Sequence, residues 1–157
     1  MRLLILCPGS PGKWKIVAPL EVQAASSNED EDCHCPLVRQ LQDYVTQYKA
    51  CVSGFVKLFE YAVTKVNGPH GLLKEWFHLV DSAEEIYEFV KGDLRLFCFI
   101  GDGAVVVCSS VALKRRRKAD PQEVAKAVRL KKSYWIAKQK NQVVIVSGEK
   151  DALRTIR

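Results

Sequence analysis

Between Tyr87 and Lys118 the chain reads YEFVKGDLRLFCFIGDGAVVVCSSVALKRRRK. Two apolar runs, LRLFCFI and AVVVCSSVAL, flank a Gly-Asp-Gly turn, and the second continues directly into five consecutive cations. Runs of this length, rich in β-branched and aromatic residues and bounded by turn residues, predict the strands of a hairpin. The constraint is severe. The chain has to bury this hairpin and also solvate, or present to an anion, the cations that follow it.

The same pattern extends upstream. EWFHLV leads through the acidic turn DSAEE to IYEFV, and KGD leads on to the hairpin, so an antiparallel meander is expected. Before it, Leu41, Val45, Tyr48, Val52, Phe55, Phe59, Ala62 and Val66 recur at helical spacing from Leu37 to Val66. Gly54 is the expected break that turns this long stretch into a hairpin of two helices, and NGPHG (Asn67–Gly71) ends it. After the cations, Asp120 predicts an N-cap, Pro121 fits the first helical turn and Glu123 completes a capping box over PQEVAKAVRLKKSYWIAKQ. On that helix Val124, Val128 and Trp135 share one face, while Lys126, Arg129 and Lys132 share the other.

The ends say less. KWKIVAPL (Lys13–Leu20) alternates at its start and predicts a short edge strand. AASSNEDEDCHCP (Ala24–Pro36) reads as an acidic loop. Its Cys-His-Cys triplet lacks the second Cys/His pair that a four-ligand structural zinc site needs, so no metal is expected there. The tail from 140 to 157 holds one β-like run, QVVIVS, and is otherwise unassigned. The expectation is one α+β domain over 1–157: an antiparallel sheet with two N-terminal helices packed on it and a C-terminal basic helix, all on one sheet face.

Composition narrows the function classes. No run approaches the roughly 18 apolar residues of a membrane span, and the apolar start MRLLILC is too short for the core of a signal peptide. The six cysteines therefore predict reduced thiols and a cytoplasmic protein, with Cys98 and Cys108 acting as small hydrophobes inside strands. The net charge of +6 is unevenly spread. Residues 1–113 carry 10 Lys/Arg against 14 Asp/Glu, whereas residues 114–140 carry 11 against 2. A block this concentrated is the footprint of a nucleic-acid binder, or else a solvated basic face.

Strand alternation places Arg95 on one face with Phe97 and Phe99. There it can clamp a phosphate or stack on a base, or it can simply pair with Glu88 on the neighbouring strand. The three histidines (His34, His70, His78) form no set with Ser, Cys or Asp, so any catalysis would fall to Lys, Arg and Tyr.

In order along the chain, GP (Gly68–Pro69), IYEF (Ile86–Phe89), LRLFCF (Leu94–Phe99), GDGAVVV (Gly101–Val107), KRRRK (Lys114–Lys118), EVAKA (Glu123–Ala127) and Tyr134 resemble the RelE/ParE superfamily of toxins. The similarity is to the phage-derived, HigB-like branch of type II toxin–antitoxin systems, and it covers roughly 37–135. That branch shows a Tyr-Glu-Leu-Arg-like strand, an Arg-Val-Tyr-Phe-like strand, a Lys-Lys pair and a Thr-Pro-x-x-Glu-Ile helix start. The resemblance implies a RelE-like domain that cleaves messenger RNA on the ribosome without metal or cofactor. It also implies a cognate antitoxin as partner and no membrane partner. By position, Arg95 matches the strand arginine as phosphate clamp, Lys114 and Arg115 match the basic pair, and Tyr134 lies near a family tyrosine. Val90 stands where the branch carries an arginine, with Lys91 adjacent as its nearest cationic substitute. Arg116, Arg117, Lys118, Lys126, Arg129 and Lys132 are the expected RNA-binding cations. Two other functions stay open: a non-enzymatic toxin that inhibits DNA gyrase, and a nucleic-acid-binding regulatory protein of a phage or mobile element.

Overall fold

The computed structural model describes residues 1–10, 13–22, 33–148 and Leu153. Most of the acidic loop and most of the last nine residues lie outside these. The elements run β1 (Arg2–Cys7), β2 (Lys15–Pro19), β3 (Glu21–Val22), β4 (Cys33–His34), α1 (Pro36–Thr64), a 3-10 turn (Gly68–Gly71), β5 (Phe77–Asp81), β6 (Ile86–Lys91), β7 (Leu94–Ile100), β8 (Val105–Leu113), α2 (Pro121–Gln139) and β9 (Val144–Ser147).

Seven strands form one sheet in the order β5-β6-β7-β8-β2-β1-β9, and β3 pairs with β4 as a separate two-residue ribbon. The expected meander β5 to β8 is antiparallel throughout. The sheet as a whole is not. β2 lies parallel to β8, and β9 lies parallel to β1, so the antiparallel sheet expected from the sequence is corrected to a mixed one. β2, expected at an edge, sits between β8 and β1, and β1 is a strand that the sequence pattern left unassigned.

The helices are corrected too. One long helix replaces the two N-terminal ones, and its backbone kinks at Tyr48 (φ −128°, ψ 36°) rather than at Gly54. α1 covers one face of the sheet: Phe55, Phe59 and Ala62 pack with Phe89, Leu94, Leu96, Cys98, Val106 and Val111. α2 covers the opposite face, where Ala127 and Tyr134 pack with Ile86, Phe97, Phe99, Val105 and Val107. The physical reason is visible in the strands. A sheet open on one side alternates apolar with polar, whereas β7 and β8 are apolar almost throughout, as a sheet covered on both faces requires. Phe97 and Phe99 are 1% and 0% exposed on the α2 side, and Leu96 and Cys98 are 0% exposed on the α1 side.

Gly54 has a different role from the one expected. It lets the β6–β7 turn approach α1, since a Cβ there would stand 2.4 Å from the Cγ and Cε of Lys91. The Asp120 cap is confirmed, its side chain accepting from the Gln122 amide at 2.9 Å. Glu123 does not close the capping box. Its carboxylate instead accepts from the Ser110 hydroxyl and pairs with Lys126 at 3.0 Å. Trp135, expected on the core face of α2, is 37% exposed, and the adjacent Tyr134 fills the core instead.

Candidate anion-binding cleft

A β-bulge sets up the site. In the β7–β8 pairing Phe97 opposes Ser110 and Cys98 opposes Cys108, which leaves Ser109 without a partner. One extra residue reverses the alternation of faces. Val106, Cys108 and Val111 therefore all lie in the α1-side core, and Ser110 and Ala112 turn toward α2. Ala112, directly opposite Arg95, leaves room above the arginine.

The result is a cleft of about 790 Å³. Glu88, Arg95, Phe97 and Ala112 form its floor, the Lys114–Lys118 loop its wall, and Asp120 to Gln122 at the start of α2 its far rim. All five loop cations are exposed, and none makes an ion pair among the described residues. The loop is anchored at its near end, where the Lys114 amide donates to the Asp93 carbonyl at 2.7 Å.

Arg95 is tightly held. Its Nη1 donates to the carbonyls of Gly92 at 2.6 Å and Leu94 at 3.0 Å. Its Nε lies 3.8 Å from Glu88 Oε1. Nη2 has no partner among the described residues, so Arg95 has one N–H edge to offer an anion rather than a two-point clamp.

Glu88 is the element that reading the sequence for catalysis missed. It is 6% exposed, yet it lines the cleft. Its Oε1 takes His78 Nε2 at 2.8 Å as well as the approach of Arg95. His78 Nδ1 lies 2.8 Å from the Lys74 carbonyl, which can only accept, so that nitrogen carries a hydrogen. Nε2, on the other side of the ring, faces Glu88 Oε1. The available signal was register: His78 opposes Glu88 across β5 and β6, and Glu88 sits two residues from the position opposite Arg95.

The expected site residues thus divide. Arg95, Lys114, Arg115, Arg116, Arg117 and Lys118 come together at one cleft. Lys91 does not, because its side chain lies over Gly54 on the α1 side of the sheet. Tyr134 does not either. It is 2% exposed, and its hydroxyl accepts from the Asp102 amide at 2.9 Å, at the far turn of the hairpin. Lys126 is occupied by Glu123, while Arg129 and Lys132 are exposed on α2 beyond the cleft lining.

Around the Cys-His-Cys triplet, Arg2 donates to Cys33 Sγ at 3.3 Å and His34 lies 3.9 Å from Glu21. Among the described residues no three His, Cys, Asp or Glu side chains are grouped as a metal site requires. No helix among the described residues is long and apolar enough to cross a membrane. Neither a protein-family model nor a curated protein matches the chain.

Proposed function

We propose that the chain is the toxin component of a type II toxin–antitoxin system, a metal-independent endoribonuclease that cuts messenger RNA on the ribosome in the cytoplasm. The observation that carries this reading is the cleft in which, among the described residues, Arg95 Nη2 has no partner and the five exposed loop cations make no ion pair. Attack of a ribose 2′-oxygen on the adjacent phosphate builds negative charge on the phosphorane oxygens, and fixed cations stabilise that charge more than they stabilise the ground state. Arg95 supplies the fixed cation, and Lys114 to Lys118 supply the mobile ones and the backbone attraction. A cognate antitoxin is the protein partner.

One observation favours a second reading, a regulatory protein that binds nucleic acid without cutting it. Arg95 is engaged three times within the chain itself, which leaves it a weaker clamp than a cleavage site would use. Brief induction in a bacterial host, followed by mapping of RNA 5′ ends, separates the two. New ends inside translated frames are expected, and the Arg115→Ala/Arg116→Ala/Arg117→Ala variant should reduce them at least tenfold. The exposed loop makes that variant safe for folding, and the net charge drops from +6 to +3. For every phosphate that the variant no longer neutralises, the salt slope of RNA binding should fall by about 0.7. Growth arrest without new ends would favour gyrase inhibition, and RNA binding without arrest would favour the regulator.

A further inference from the structure

The geometry points to Glu88 as the general base of the cleft, the group that takes the proton from the attacking ribose 2′-hydroxyl. This rests on the endoribonuclease reading above and names the one function that its cations leave unfilled. Arginine stays protonated at any accessible pH, and a lysine accepts a proton only after losing its own, whereas a carboxylate accepts one directly. Among the residues lining the cleft, only Glu88 and Asp120 are acidic. Asp120 is exposed at the rim, and its carboxylate is committed to capping α2. Glu88 lies on the floor beside Arg95.

The two oxygens of Glu88 are used differently. Oε1 takes both His78 and Arg95, while Oε2 has no partner among the described residues. Only His34 Nδ1, among the described side-chain nitrogens and oxygens, is both buried and unpartnered, so the unpartnered Oε2 keeps accessible surface, on a residue that lines the cleft. A carboxylate fixed through one oxygen and open at the other is oriented without losing its capacity to accept. Arg95, whose Nε lies 3.8 Å from Oε1, would offer its Nη2, unpartnered among the described residues, to the phosphate whose sugar presents its 2′-hydroxyl to Oε2.

The step balances with groups already present. Oε2 takes the 2′-hydroxyl proton as the 2′-oxygen forms its bond to the adjacent phosphorus. The P–O5′ bond breaks with its electron pair on the 5′-oxygen, which takes a proton from water. Protonated Glu88 returns its proton to the hydroxide left behind. The products are a 2′,3′-cyclic phosphate and a 5′-hydroxyl end.

The test uses the full chain, translating ribosomes and a messenger of defined sequence. Cleavage is measured in single turnover as 5′-hydroxyl ends, and binding is measured with the same messenger carrying 2′-deoxy sugars. Glu88→Gln keeps the shape of the side chain and should lower the cleavage rate at least 100-fold, within the 10²–10⁴ range of general-base loss, while the Kd moves less than about threefold. A Glu88→Gln rate within threefold of the parent would overturn the assignment while leaving the endoribonuclease reading intact. Loss of binding in proportion to rate would overturn it too, by making Glu88 a support for Arg95. A parent chain that makes no cuts would remove the reading and this inference together. If Glu88→Gln does not fold, Glu88→Asp carries the test. It keeps the charge but withdraws the oxygen, so at least a tenfold loss in rate with binding unmoved is expected, and unchanged cleavage would overturn the role.

Discussion

At Tyr134 the hydroxyl accepts from the Asp102 amide while the ring packs 5.6 Å from Phe99, centroid to centroid. One turn further along α2, Lys138 Nζ lies 3.4 Å from the Asp102 carboxylate. Together they pin the Gly-Asp-Gly turn, where Gly103 (φ +74°) and Ala104 (φ +59°) both take left-handed backbone. The tyrosine thus holds the hairpin closed from the end opposite the cleft. Tyr134→Phe keeps the ring and leaves the half-buried amide of Asp102 without its acceptor. It should cost about 1–3 kcal/mol of stability, read as a lower urea midpoint with unchanged slope. An unmoved midpoint would mean that water replaces the hydroxyl without penalty.

The elements carry their functions through close approach. α1 and the β6–β7 turn meet where Gly54 admits the Lys91 stem, and Gly92 (φ +55°) turns the chain so closely over Cys51 that a Cβ would stand 2.6 Å from its sulfur. This turn also supplies the Gly92 carbonyl that fixes Arg95. Helix packing on one face of the sheet therefore positions the arginine on the other. Gly54→Leu should push the turn off the helix, destabilise by roughly 1–3 kcal/mol as overpacked cores do, and weaken RNA binding with it. A variant as stable as the parent, with unaltered binding, would show that the two faces are not coupled through this turn.

For the whole molecule, one sheet with a helix on each face places the thiols of Cys98 and Cys108 in the α1-side core. Burial pushes both far above the ordinary thiol range, and burial also raises Cys35 and Tyr87. The sign of the linkage follows. Above the unfolded thiol value of about 8.5, the unfolded chain loses protons that the native chain keeps, so the native state binds more protons and stability falls as pH rises. The full contribution is present below that value. Urea midpoints should stay level in this respect up to about pH 8 and decline toward pH 10.5. In the Cys98→Ala/Cys108→Ala variant, less stable overall, the decline should be shallower. An equal decline in the two proteins would assign it to other groups.

Local chemistry determined much of this protein. The apolar runs and turn residues specified β5 to β8 as a meander, because alternation and hairpin turns act between neighbours in the chain. The Asp120-Pro121 start specified α2 for the same reason, and the charge block located the cleft wall at Lys114–Lys118. Arg95 was legible too, with Glu88 as its partner, since both follow from parity within a hairpin. Tertiary structure alone decided that β2 inserts between β8 and β1, that β9 joins β1 in parallel, and that the helices take opposite faces. Those pairings join segments far apart in sequence, where no local periodicity acts. It also decided which predicted site residues meet. Lys91 and Tyr134 were separated from Arg95 by the sheet and by the length of the hairpin, while His78 and Glu88 were brought beside it by register across three strands.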